Sequence, residues 1–67
     1  MIEIVVNGDV RRVSEGQTLT GLLKELELDP ERVAIEMDRQ IVKQARWQGT
    51  VLQAGARVEI VQFVGGG

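Results

Sequence analysis

Chemistry is most readily assigned to the last three of the 67 residues, Gly65-Gly66-Gly67, which carry an α-carboxylate on a stretch with no side chains. A carboxylate at neutral pH is a poor electrophile. To enter acyl transfer it must become a mixed anhydride, normally by attack of its oxygen on the α-phosphate of ATP in the site of another protein. A tail reaching such a site threads a narrow channel, where residues lacking a Cβ pass and branched side chains clash. Their N–H and C=O groups remain free to pair with the channel walls. Gly67 is therefore the expected acyl group, with Gly65 and Gly66 as the passage that delivers it. Ordering such a tail costs about 1–2 kcal/mol per residue, so the folded body has to contribute docking contacts. An inert frayed end is the competing reading of three terminal glycines.

The remaining composition removes most other chemistries. The chain has no cysteine and no histidine, which excludes thiol nucleophiles, disulfides, the commonest metal ligands and the usual neutral-pH acid/base group. Eight basic and ten acidic residues give a formal net charge of −2, without a Lys/Arg stripe to track phosphates, so nucleic acid is not an expected partner. Arg11 and Arg12 read as solvated strand residues. With 43% hydrophobic and 27% charged residues the chain has the composition of a soluble globular domain. Neither a secretory signal nor an apolar run of membrane-spanning length is visible, so the expected location is the cytoplasm, with no membrane partner. At this length one domain, residues 1–64, is expected to carry the tail, 65–67.

The elements that must position the tail follow from periodicity. Ile2, Ile4 and Val6 alternate with Glu3, Val5 and Asn7, and Asn7-Gly8 suits a tight hairpin turn leading to a second strand over Val10 to Val13. Thr18 is a helix cap, and Leu19, Leu22, Leu23 and Leu26 share one helical face. Gly21 is expected to let the helix approach the sheet closely, and Asp29-Pro30 to end the helix. Val33, Ile35 and Met37 form a third strand, with Ile41-Val42 beyond a turn at Asp38-Arg39. Gln44 to Gln48 reads as an irregular helical turn carrying Trp47 as a core anchor. Arg57 to Phe63 is the last strand, after a turn at Ala54-Gly55, with Val58 and Ile60 facing the helix.

This ββαββ order predicts an α+β fold with one main helix packed across a mixed sheet of four or five strands, the β-grasp arrangement of ubiquitin-like proteins. Val61 and Phe63 fall on the strand face opposite Val58 and Ile60, and Val64 continues the apolar stretch. These three residues are the candidate partner-docking patch, against a second reading in which Phe63 caps the core through a twist or bulge.

Taken in order, several segments resemble the ThiS family, the sulfur carrier proteins of thiamine biosynthesis. They are Ile2-Glu3-Ile4-Val5-Val6-Asn7-Gly8, Glu15-Gly16-Gln17-Thr18-Leu19 with Leu22-Leu23, Val33-Ala34-Ile35-Glu36-Met37, Gln40-Ile41-Val42, Trp47, Val58-Glu59-Ile60 and Gly66-Gly67. The resemblance implies that a ThiF-type enzyme adenylates the Gly67 carboxylate, and that a sulfur donor protein then supplies the sulfur of a thiocarboxylate. That group would give its sulfur to the thiazole ring on a thiazole synthase. ATP and magnesium would belong to the adenylating enzyme, and the carrier would bind no cofactor, hold no metal and catalyse nothing. Gly65 stands where family members often carry a small or branched residue, which implies a looser tail. Three other readings stay open on the sequence: the small subunit of molybdopterin synthase, a ubiquitin-like modifier joined to lysines, and an inert interaction module.

Overall fold

The computed structural model describes residues 1–64, and the expectations placed on Gly65, Gly66 and Gly67 lie outside the described residues. Alternation at the start of the chain produces β1 (Ile2–Val6), which pairs antiparallel with β2 (Asp9–Val13). The turn between them has positive φ at both Asn7 (49°) and Gly8 (86°). That is the geometry of the two-residue turn whose twist matches paired strands.

Thr18 caps α1 (Leu19–Glu25) as expected, its hydroxyl oxygen accepting from the Gly21 N–H at 3.1 Å. Leu19, Leu22 and Leu23 are buried against the sheet, each contributing about 1.5–3 kcal/mol by leaving water. Gly21 does not serve a close approach to the sheet. A Cβ there would collide with the side-chain amide of Gln17, which lies over the first turn. That amide accepts from the Thr18 N–H at 3.2 Å and donates to Glu25 at 2.8 Å.

The helix also ends before Asp29-Pro30. Glu27 adopts φ 57°, the Glu27 N–H donates to the Lys24 carbonyl at 3.1 Å, and the Leu28 N–H donates to the Leu23 carbonyl at 3.0 Å. These two bonds satisfy the last carbonyls in a left-handed cap, a role usually taken by glycine. Leu28 then packs against the core, which accounts for the early stop. Asp29 and Pro30 instead begin a short 3-10 helix (Pro30–Arg32), with the Asp29 carboxylate accepting from the Glu31 N–H at 2.9 Å.

β3 (Val33–Met37) and β4 (Gln40–Val42) form a second hairpin whose turn again has positive φ at both positions, Asp38 (50°) and Arg39 (70°). A 3-10 helix (Gln44–Gly49) carries Trp47, which is 4% exposed, and its indole N–H donates to the Val42 carbonyl at 2.7 Å. The core-anchor reading of Trp47 therefore holds, with its one polar atom satisfied. Residues around Thr18 and Val51 form a bridge, with the Leu52 N–H donating to the Gln17 carbonyl at 2.7 Å, and this pins the start of α1.

β5 (Arg57–Gln62) completes a five-stranded sheet in the order β2-β1-β5-β3-β4. It runs parallel to β1 and antiparallel to β3, and α1 covers one face. This is the expected β-grasp architecture. The turn residues of both hairpins hold β5. The Asn7 side chain accepts from the Ile60 N–H at 2.7 Å and donates to the Ile60 carbonyl at 3.2 Å, standing in for a strand residue that β1 no longer supplies. On the other side the Asp38 carboxylate accepts from the Arg57 N–H at 3.0 Å, and the Asp38 N–H donates to the Arg57 carbonyl at 2.8 Å.

Two expected outcomes follow from the turns. Asn7→Gly keeps the positive φ and removes only the amide, so urea denaturation should show a loss of about 1–2 kcal/mol, with faster amide exchange at Ile60. Arg39→Gly should raise stability by about 0.5–1 kcal/mol in the same measurement, because it relieves a left-handed arginine at the price of some unfolded-state entropy.

Candidate functional site at the end of the last strand

Strand alternation divides the residues of β5 between two environments. Val58 and Ile60 enter the core beneath α1, at 1% and 8% exposure, as the spacing predicts. Glu59 and Val61 point to the opposite face, where Val61 stands beside Ala34 of β3. Pairing continues past the end of β5, since the Phe63 N–H donates to the Arg32 carbonyl at 2.7 Å. The backbone is thus held by neighbouring chain up to the second residue before the glycines.

Of the candidate docking residues, Val61 is 58% exposed, Phe63 54% and Val64 87%. Phe63 does not cap the core as the alternative reading has it, since it is half-exposed and is not among the residues of the core cluster. Val61 and Phe63 share one strand face as an exposed apolar strip, and Val64 follows them in the chain before residues 65–67. The expected acyl group, Gly67, and the expected passage, Gly65 and Gly66, lie outside the described residues.

On the helix side of the same strand end lies an open groove of about 360 Å³. Its floor is Val6, Leu26, Leu28 and Ile60, and Asp9, Arg11 and Gln62 stand at its rim. Val10 also reaches it from β2. The described residues that line it include no serine, threonine, cysteine or histidine. Among the described residues no group of acidic side chains is arranged to hold a metal ion, and no helix is long and apolar enough to cross a membrane.

Sequence reasoning missed the two residues that aim the strand. Asn7 and Asp38 read only as turn formers, yet each uses its side chain on β5. The available signal was chemical: both are short side chains able to bond a backbone, at the first position of a two-residue turn. What the pattern alone did not supply was the strand they would reach.

The arrangement presents a strand end held at the centre of a sheet, an exposed apolar strip along it, and the glycines beyond. Comparison with known proteins agrees with that organisation along nearly the whole chain. The ThiS family model matches residues 4–67. The thiazole synthase of Magnetococcus marinus is 38% identical over 66 residues, which cover 98% of this chain and 20% of that protein. The chain therefore spans about a fifth of the length of that relative. The sulfur carrier protein ThiS of Escherichia coli is 27% identical over 98% of this chain and 100% of its own length. The crystal structure of the thiamine biosynthesis protein (ThiS) from Geobacter metallireducens superposes with a TM-score of 0.84 at 29% identity, covering 98% of this chain and 100% of that one. On the family match and on the agreement of fold, this chain belongs to the ThiS family, with its ubiquitin-like β-grasp fold.

Proposed function

We propose that this protein is a sulfur carrier of thiamine biosynthesis, a single β-grasp domain over residues 1–64 that delivers the carboxylate of Gly67 to partner enzymes. The observation that carries this reading is the end-to-end match with the E. coli sulfur carrier, which extends over all of that protein's length. In the first step a Gly67 carboxylate oxygen attacks the α-phosphorus of ATP and pyrophosphate leaves, giving an acyl-adenylate. In the second the outer sulfur of a donor persulfide attacks the acyl carbon and AMP leaves; a thiol then attacks the donor-side sulfur of the acyl disulfide, which breaks the S–S bond, releases the thiocarboxylate and leaves a disulfide between donor and thiol. ATP and magnesium are held by a ThiF-type adenylating enzyme, and this chain acts as co-substrate rather than catalyst.

The partner that consumes the sulfur is thiazole synthase. Support comes from relatives called thiazole synthase, in Magnetococcus marinus and Paramagnetospirillum magneticum, that contain a unit like this one within a chain about five times as long. Joining a carrier to its acceptor raises their effective concentration without any new contact. Val61, Phe63 and Val64 dock the body while Gly65 and Gly66 thread the channel. The exposure of Val61, Phe63 and Val64 supports the docking role.

Incubation with the adenylating enzyme, ATP and a sulfur donor should raise the intact mass by the difference between one sulfur and one oxygen, and deletion of Gly67 should abolish the gain. A role in thiamine synthesis that survives loss of the terminal glycines would sink this reading. Phe63→Ala should weaken binding to the adenylating enzyme by about tenfold, as truncation of an aromatic anchor does. The same variant should change folding stability by no more than about 0.5 kcal/mol, because the ring is outside the core.

A further inference from the structure

The sheet face opposite α1 is bare among the described residues, and the strand register sets its side chains in rows. Where β1 meets β2, Glu3 stands opposite Arg12, an opposed pair of unlike charge. Where β3 meets β5, Glu36 stands opposite Glu59, and both are exposed. Among the described residues no cation lies within 4.0 Å of either carboxylate, the one ion pair being Arg32 with Asp29. Like charges set directly opposite one another work against the strand pairing that carries them. The next pair toward the tail is Ala34 and Val61, followed by Phe63, so the acidic pair borders the apolar strip. On its other flank Ile41, 79% exposed, stands opposite Glu36.

We propose that this face is read by a cationic surface of the carboxylate-adenylating enzyme, with an arginine or lysine side chain seated between Glu36 and Glu59 while apolar surface covers Val61 and Phe63. The proposal rests on the carrier reading above and adds to it the charge of the partner. A cation between the two carboxylates offsets their mutual repulsion and donates a charge-assisted hydrogen bond to each. The adenylating enzyme is the better match of the two partners on electrostatic grounds. It must bring a carboxylate up to the phosphates of ATP, and the positive field needed for that meeting also attracts an acidic face beside the tail. The thiocarboxylate that reaches the acceptor is also an anion, but it is not brought there against a triphosphate.

The test is the KM of the full chain in the adenylation reaction, measured over a range of salt concentrations for Glu36→Gln/Glu59→Gln, with Glu3→Gln as a control on the same face. The double variant should raise KM about fivefold or more at low ionic strength and flatten its salt dependence, while the control leaves both unchanged. Relief of the opposed charges should keep its urea midpoint at or above that of the wild type, so a binding loss cannot be assigned to unfolding. Unchanged KM and salt slope in the double variant overturn the acidic docking and leave the carrier reading standing. So does a loss of affinity confined to the acceptor enzyme. A wild-type chain that never forms an adenylate in the intact-mass assay overturns the carrier reading itself.

Discussion

The two halves of the sheet meet along a single short seam. β1 and β5 pair in parallel at Val5 with Arg57 and Val6 with Val58, after which β1 turns away at Asn7. The Asn7 amide then takes over, offering an acceptor and a donor to the backbone of Ile60 in the positions a further strand residue would occupy. Without it the Ile60 N–H and C=O would face the groove unpaired, and the upper part of β5 would be held from the β3 side alone. Asp38 performs a similar service at the strand's beginning. The strand that bears the tail is therefore held at its start and middle by residues whose other task is to turn two hairpins.

That seam explains why the tail leaves from the centre of the sheet rather than from a loose edge. Central position gives β5 a neighbour on each side and leaves its outer face open, because α1 covers only the other. A small domain has little apolar area to spare, and this one concentrates it on one side: the three leucines of α1, Trp47 and the inward residues of β1, β3 and β5. The apolar residues left outside are then informative, since Val61 and Phe63 sit beside the strand end and share a strand face.

Local features of this fold were legible in the residue order wherever the signal was short-range. The Asn7-Gly8 turn, the Thr18 cap, the leucine face and the inward alternation of Val58 and Ile60 each follow from neighbours a few positions apart. The errors arose where a distant contact decided the outcome. Proline looked like the stop for α1, but Leu28 had a place in the core and Glu27 accepted a left-handed conformation to put it there. Gly21 looked like a helix-to-sheet contact, but the group it accommodates is Gln17, a side chain whose rotamer the sequence does not state. The Asn7 amide bonds a residue 53 positions away, which no local pattern encodes. For the candidate site, Gly67 stands out in the sequence because a chain without cysteine or histidine offers few alternatives, and it lies outside the described residues. The side-chain supports of β5 were not legible.

A carrier of the kind proposed has to enter one enzyme, leave it, and enter another with the same few residues. That requirement argues against deep complementarity with either partner, because differences in affinity between related complexes lie mostly in the dissociation rate. A strip of half-exposed valine and phenylalanine beside exposed carboxylates meets the requirement better than a preformed pocket would. On the proposed reading the apolar part would supply an anchor common to both encounters, while charge would govern the rate and identity of the first. Rigidity belongs upstream: the backbone is paired as far as Phe63, so a partner that meets Val61 and Phe63 would not have to order β5. On the proposed reading the Asn7 amide would bear on function as well as on folding, since a β5 end that frayed would itself have to be ordered by each partner.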